Sequence, residues 1–278
     1  MKKLVYYGLL LLLFFSPVHV SAQKESGYSA THLSFDNNLL KWDEVNSLLP
    51  KFSKFTVIDF ETGLSFKVQR RAGRDHTDVQ PLTQKDTKIM KSIYGGKWSW
   101  KRRAILVQFD DYLIPASMHG MPHGAGALQN SFPGHFCIHF YGSSTHRTDQ
   151  MDFSHSLMIL KSAGQLDDYV FNASSNDFVK IFVEGMNQQD EFILDLVLSK
   201  NWRRDKEFLT KLNDIQTIKI KQLELLTESP FVSEAQVEIV MYSKKNGKMK
   251  GNLHVSMVRS YPIDSWEVVA SEIIFDVE

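Results

Sequence analysis

One cysteine and a run of histidines carry the chemistry that this sequence offers. Cys137 is the single cysteine of the 278 residues. It stands two residues after His135 and two before His139, within Gly134-His135-Phe136-Cys137-Ile138-His139-Phe140. His119 precedes it in Ser117-Met118-His119-Gly120. Side chains of an extended strand alternate between faces, so His135, Cys137 and His139 are expected on one face and Phe136, Ile138 and Phe140 on the other. Two chemistries fit that face. A thiolate made by a neighbouring imidazole attacks carbonyls, with His119 the natural base and backbone N–H groups near Cys137 to hold an oxyanion. Alternatively, His119, His123, His135, Cys137 and His139 offer more than the four nitrogen and sulfur ligands that a structural zinc takes. Gly120, Pro122 and Gly124 argue against a helix presenting His119 and His123 together. On spacing alone both chemistries stay open.

The chain that positions these residues begins with Met1-Lys2-Lys3, an apolar run from Leu4 to Phe15, and Val20-Ser21-Ala22 before Gln23. That pattern reads as a secretory signal peptide over residues 1–22, and the protein is expected to be secreted or cell-wall associated, touching the membrane only before cleavage. In an oxidising compartment a lone thiol is an intermolecular link, a reactive group or a buried small hydrophobe. Lys+Arg and Asp+Glu both number 32, a balance that gives no reason to expect a nucleic-acid partner.

Periodicity then divides the chain. A helix is expected from about Asn37 to Phe55, ended near Pro50, followed by a hairpin over Phe55 to Val68. The basic stretch Gln69 to Asp78 reads as a solvated loop, with His76 and Asp78 as secondary substrate-contact candidates. Thr83 with Asp86 caps a helix to Tyr94, and Gly95-Gly96 ends it. Strands are expected at Ala104 to Val107 and Tyr112 to Ser117, and a loop over Gly120 to Gly134 leads to the strand around Cys137. After a polar stretch holding His146 and His155, a helix spans Ser154 to Ala163. Mixed periods follow over Val179 to Leu198, then a helix over Arg203 to Leu212. β-type runs cover Thr217 to Leu226, Ala235 to Lys244 and Leu253 to Tyr261, with an Asn246-Gly247 turn, and a last strand covers Trp266 to Phe275. The expected class is α+β, with a β-rich domain over 23–165 and a small α+β domain over 166–278. The latter resembles cystatin and nuclear-transport-factor architectures.

Met118-His119-Gly120 followed by His135-Phe136-Cys137-Ile138-His139 resembles the L,D-transpeptidase family of cell-wall cross-linking enzymes. In that family a histidine-glycine or histidine-serine step precedes a loop and then Ser/Thr-His-Gly-Cys-x-Arg/Asn. Here Gly134, Phe136 and His139 depart from the Ser/Thr, Gly and Arg/Asn of the pattern. The resemblance implies a secreted cysteine acyltransferase acting on peptidoglycan stem peptides, with amine or water as acceptor. It makes Cys137 the nucleophile, His119 its base and His135 a support beside the oxyanion, with His139, Gly120 and His123 towards substrate. His146 or His155 would serve as base in a related arrangement. No cofactor and no stoichiometric zinc are expected on this reading. A non-catalytic wall- or partner-binding module and a His/Cys zinc-site protein are the rival readings. The resemblance predicts that a carbapenem adds its mass to the intact protein at Cys137 alone; intact and peptide mass spectrometry check this.

Overall fold

The computed structural model describes residues 39–144 and 151–278, so the expected leader (1–22) and His146 lie outside the described residues. The helical pattern read from about residue 37 to 55 forms only α1 (Trp42–Leu48), because Pro50 and a left-handed Phe52 (φ 74°) turn the chain into a strand. The expected hairpin follows as β1 (Lys54–Asp59) and β2 (Ser65–Ala72), pairing Phe55 with Val68 and Val57 with Phe66. The stretch read as a solvated loop is different: β2 runs to Ala72, bulges, and pairs with β3 (Thr77–Pro81). Helix α2 (Gln84–Ile93) starts at the expected capping box, in which Thr83 and Asp86 exchange side chain-to-backbone hydrogen bonds. β4 (Arg102–Phe109) and β5 (Tyr112–His119) form a second hairpin, and β6 (Phe136–His139) comes after a long loop.

These six strands close into a barrel in the order β1-β2-β3-β6-β5-β4. Inside it Phe66, Phe136, Ile138, Met118, Ile105 and Val57 are buried against one another, with α1 adding Trp42 and Val45. Ala104, one position from Ile105, belongs instead to the second apolar core and so marks the outer wall.

That second core begins with α3 (Phe153–Ser162), which packs across the outer faces of β4 and β5. Then come α4 (Leu166–Phe171), α5 (Ser175–Gln188), α6 (Glu191–Val197) and α7 (Lys206–Asp214). The meander is built of β7 (Ile215–Glu228), β8 (Val232–Ser243) and β9 (Gly247–Val258), with the β8–β9 turn at Asn246-Gly247 as expected. The expected last strand is split into β10 (Glu267–Val268) and β11 (Ile274–Val277), with a 3-10 turn at 270–272 between them; both pair with β9. The chain is thus mixed α and β, rich in strand, around a closed six-stranded barrel. Among the described residues no helix is long and apolar enough to cross a membrane.

The two cores are tied by an ion cluster whose Lys161 and Asp190 are buried and whose Glu61 is exposed. Lys161 on α3 donates to Asp190 Oδ2 at 2.6 Å and to Glu61 Oε1 of the β1–β2 turn at 2.7 Å. Asp190 also caps α6 by accepting from Ile193 N–H. Removing one member of a buried pair leaves an uncompensated charge. Lys161→Ala is therefore expected to cost about 3–5 kcal/mol in urea unfolding, and Lys161→Met combined with Asp190→Asn, which keeps the cap, considerably less.

Candidate functional site

The barrel interior takes Val79, Phe136, Ile138 and Met118. Strand alternation then turns Asp78, Gln80, Cys137, His139, Ser117 and His119 to the outer wall. Register arranges them in rows. Asp78 is paired with Cys137, and Ser117 with His139. Continuing the same registers sets His76 beside His139 and His119 beside Cys137, with Arg102 of β4 paired to His119. His76 and His139 are stacked, ring centroids 4.5 Å apart.

Two further imidazoles are brought over this wall. His155 arrives on α3, accepts or donates at Ser117 Oγ (2.8 Å from Nδ1) and stacks on His139 at 3.9 Å. Arg102 fixes that approach: its guanidinium binds Asp152 Oδ2 at 2.7 Å, and Asp152 caps α3 at the His155 N–H. His123 arrives on the β5–β6 loop through a two-way backbone bridge with His135. The loop folds back tightly there. A Cβ on Gly134 (φ +120°) would lie 2.4 Å from the His123 carbonyl oxygen, and one on Gly124 (φ +59°) 2.3 Å from the His135 ring. Gln80 locks the fold, donating to the Gly134 carbonyl and accepting from Ala127 and Leu128 N–H. No helix forms over Gly120, Pro122 and Gly124, as expected, yet the loop still brings His119 and His123 together, rings 5.2 Å apart.

The rings form two columns with Cys137 between them. One runs His76–His139–His155; the other runs Trp100–His119–His123–His135, with neighbouring centroids 4.5–5.2 Å apart. Cys137 Sγ lies 3.3 Å from His123 Nε2 and 3.5 Å from Asp78 Oδ1. Asp78 Oδ1 is also 3.3 Å from His76 Nε2 and 3.9 Å from His135 Nε2. A carbonyl only accepts, so the Nδ1 atoms of His76, His123 and His135, facing the carbonyls of Ser144, Met121 and Ala125, carry the protons. Their Nε2 atoms then face the cluster.

Burial, aided by the Arg102 charge, holds His119 well below the ordinary imidazole pKa; burial, with the neighbouring His139, does the same for His155. Both are neutral at pH 7. Burial first, and the Asp78 carboxylate second, push the Cys137 thiol far above the usual cysteine value.

Of the residues singled out in the sequence, Cys137, His139 and His119 are buried together, His135 and His123 are half-buried at the rim, and His155 is buried behind His139. Gly120 lies apart from the thiol. Its N–H binds the Ser99 carbonyl, and a Cβ there would strike the Tyr94 ring at 2.4 Å. Phe136 points into the barrel against Phe66 and Phe132, away from the donor face. His76 and Asp78, held as secondary candidates, are in the midst of the cluster. Gln80, Arg102 and Trp100 were not anticipated. The alternation His76-Thr77-Asp78-Val79-Gln80 carries the same period of two as His135-Cys137-His139, and was the available signal for the first of them.

No protein-family model matches this chain, and no curated protein matches its sequence.

In chelator-treated protein, alkylation of Cys137 is expected to show a midpoint above the ~8.5 of a free cysteine. Asp78→Asn, which removes the adjacent negative charge, is expected to move that midpoint down, while urea restores ordinary reactivity. Rates of iodoacetamide labelling between pH 6 and 10 check this.

Proposed function

We propose that this protein is an extracytoplasmic metalloenzyme in which the Cys137–histidine cluster binds transition metal and catalyses hydrolysis, with Cys137 a ligand. One observation carries the reading. Cys137 is shared by two donor triads, His119/His123/Cys137 and His76/Cys137/His139, each with its ligand atoms within 4.8 Å of one another. Two other features support it. Metal-binding imidazoles characteristically donate their second N–H to a carbonyl, as His76, His123 and His135 do. The 3.3 Å from Cys137 Sγ to His123 Nε2 also suits two ligands of one tetrahedral ion, about 3.5 Å apart. A bound cation offsets the burial and carboxylate effects that disfavour the thiolate.

Such an ion supplies Lewis acidity and a water of lowered pKa. The chain's own groups do the remainder. His123 and His135 are half-buried on the loop side, His123 beside the exposed Trp100, and the buried His119 and His139 exclude solvent behind them. Asp78, close to the thiol and to two imidazoles, is the carboxylate positioned to take a proton from attacking water. The substrate class we propose is the stem peptide of peptidoglycan, which follows from the expected secretion and the L,D-transpeptidase resemblance.

A second reading rests on the same Cys137–His123 contact: cysteine acyl transfer on those peptides, with His123 closer to the thiol than the expected base His119. It carries the finer architectural proposal, an L,D-transpeptidase-like domain to about residue 165 followed by a cystatin- or nuclear-transport-factor-like domain. Against it, β6 is paired on both edges, so its N–H groups serve the ladder rather than an oxyanion. Protein purified without chelators is expected to carry zinc or another first-row metal, and Cys137→Ser to bind it at least ten-fold more weakly. Metal-free wild type that acquires none on dialysis, yet forms a carbapenem adduct at Cys137, would sink the metal reading and leave the second.

A further inference from the structure

We infer that the cluster is built for two metal ions bridged by the Cys137 thiolate: an inner ion held by His76 and His139, and an outer ion held by His119 and His123. This rests on the metal reading above and specifies its stoichiometry and division of labour.

The donor count is the first argument. The two triads together supply four imidazoles and one thiolate, already more than the four positions of a tetrahedral zinc. Asp78 lies within 3.5 Å of the thiol and 3.3 Å of His76. One tetrahedral ion filled by the thiolate and three imidazoles would still leave an imidazole of the two triads without a metal.

The second argument is placement. The imidazoles are sorted by the barrel wall and the loop into two pairs that each share Cys137, His76 stacked on His139 and His119 tilted against His123. Only the thiol belongs to both triads. A thiolate has several lone pairs and bridges two cations where an imidazole nitrogen does not.

The third argument is access. His76, Cys137 and His139 are all buried, whereas His123 is half-buried at the rim under the exposed Trp100. Each triad supplies three ligands; the fully buried one is shut off from substrate, and the accessible one leaves a position for water or substrate. The inner ion thus holds the thiolate and the wall in place, and the outer ion meets substrate. On loading, the Cys137 thiol loses its proton to solvent and its sulfur lone pairs form the two metal–sulfur bonds; no electron is exchanged with zinc.

The test is a titration of the chelator-treated full-length chain with Zn²⁺ and Co²⁺, counted by native mass spectrometry. Two ions per chain are expected in wild type, one in His123→Gln and one in His139→Gln. With Co²⁺ the thiolate-to-metal absorption band should rise through both equivalents, since the sulfur serves both ions. Circular dichroism and Tm identify any variant that fails to fold. His123→Gln, at the half-buried rim, is the less disruptive of the two. A single ion in wild type, lost by at least ten-fold in affinity in both variants, overturns the bridged pair and leaves the metal reading standing. Two ions with a cobalt band complete at the first equivalent refute the bridge. No ion at all removes the metal reading itself.

Discussion

The site depends on the alternation of side chains across three strands of a closed barrel. The interior is filled by Phe66, Phe136, Ile138 and Met118, so the intervening residues of β3, β6 and β5 have only the outer wall to face. Because Asp78 opposes Cys137 and Ser117 opposes His139, donors separated in sequence become lateral neighbours. A slip of one residue in β6 would send Cys137 and His139 into the apolar interior and Phe136 and Ile138 out. The aromatic packing of the interior therefore specifies the polar geometry of the exterior.

Polar groups on a barrel's outer wall would ordinarily meet water, and here His76, Asp78, Gln80, Ser117, His119, Cys137 and His139 are buried. Helix α3 covers them from one side and the β5–β6 loop from the other. Both covers are held by hydrogen bonds rather than by apolar packing alone: Arg102 to Asp152 at the start of α3, and Gln80 to the loop backbone. Burying an unpartnered donor or acceptor costs about 1–3 kcal/mol, which makes the carbonyl partners of His76, His123 and His135 a structural need as well as an orienting device. His119 and His155, held neutral by burial, lower the cost further, since no charge is desolvated.

The same burial bears on the chemistry proposed for Cys137. A nucleophilic cysteine is commonly activated by positive neighbours and some access to solvent. Cys137 has a carboxylate beside it and is only 4% exposed. An arrangement unfavourable to a free thiolate becomes favourable once a cation shares the space, because Asp78 then offsets positive charge instead of opposing negative charge.

The sequence by itself determined the elements with strong local signals. The Thr83–Asp86 capping box, the 54–72 hairpin, the Asn246-Gly247 turn and the strand face of Cys137 and His139 follow from short-range periodicity and turn chemistry. It also marked His119, His135 and Cys137 as residues to explain. What it left undetermined involved distances along the chain. The Arg- and Gly-rich stretch before His76 hid β3, and the left-handed Phe52 that turns the chain out of α1 after Pro50 carried no signal. Three further decisions were tertiary: that His123, through an irregular glycine loop, approaches the thiol; that His155 reaches His139 from a helix; and that Asp78 sits beside Cys137. Each depends on barrel closure and strand register, which are set by the packing of residues dozens of positions apart and leave no mark in any local window of sequence.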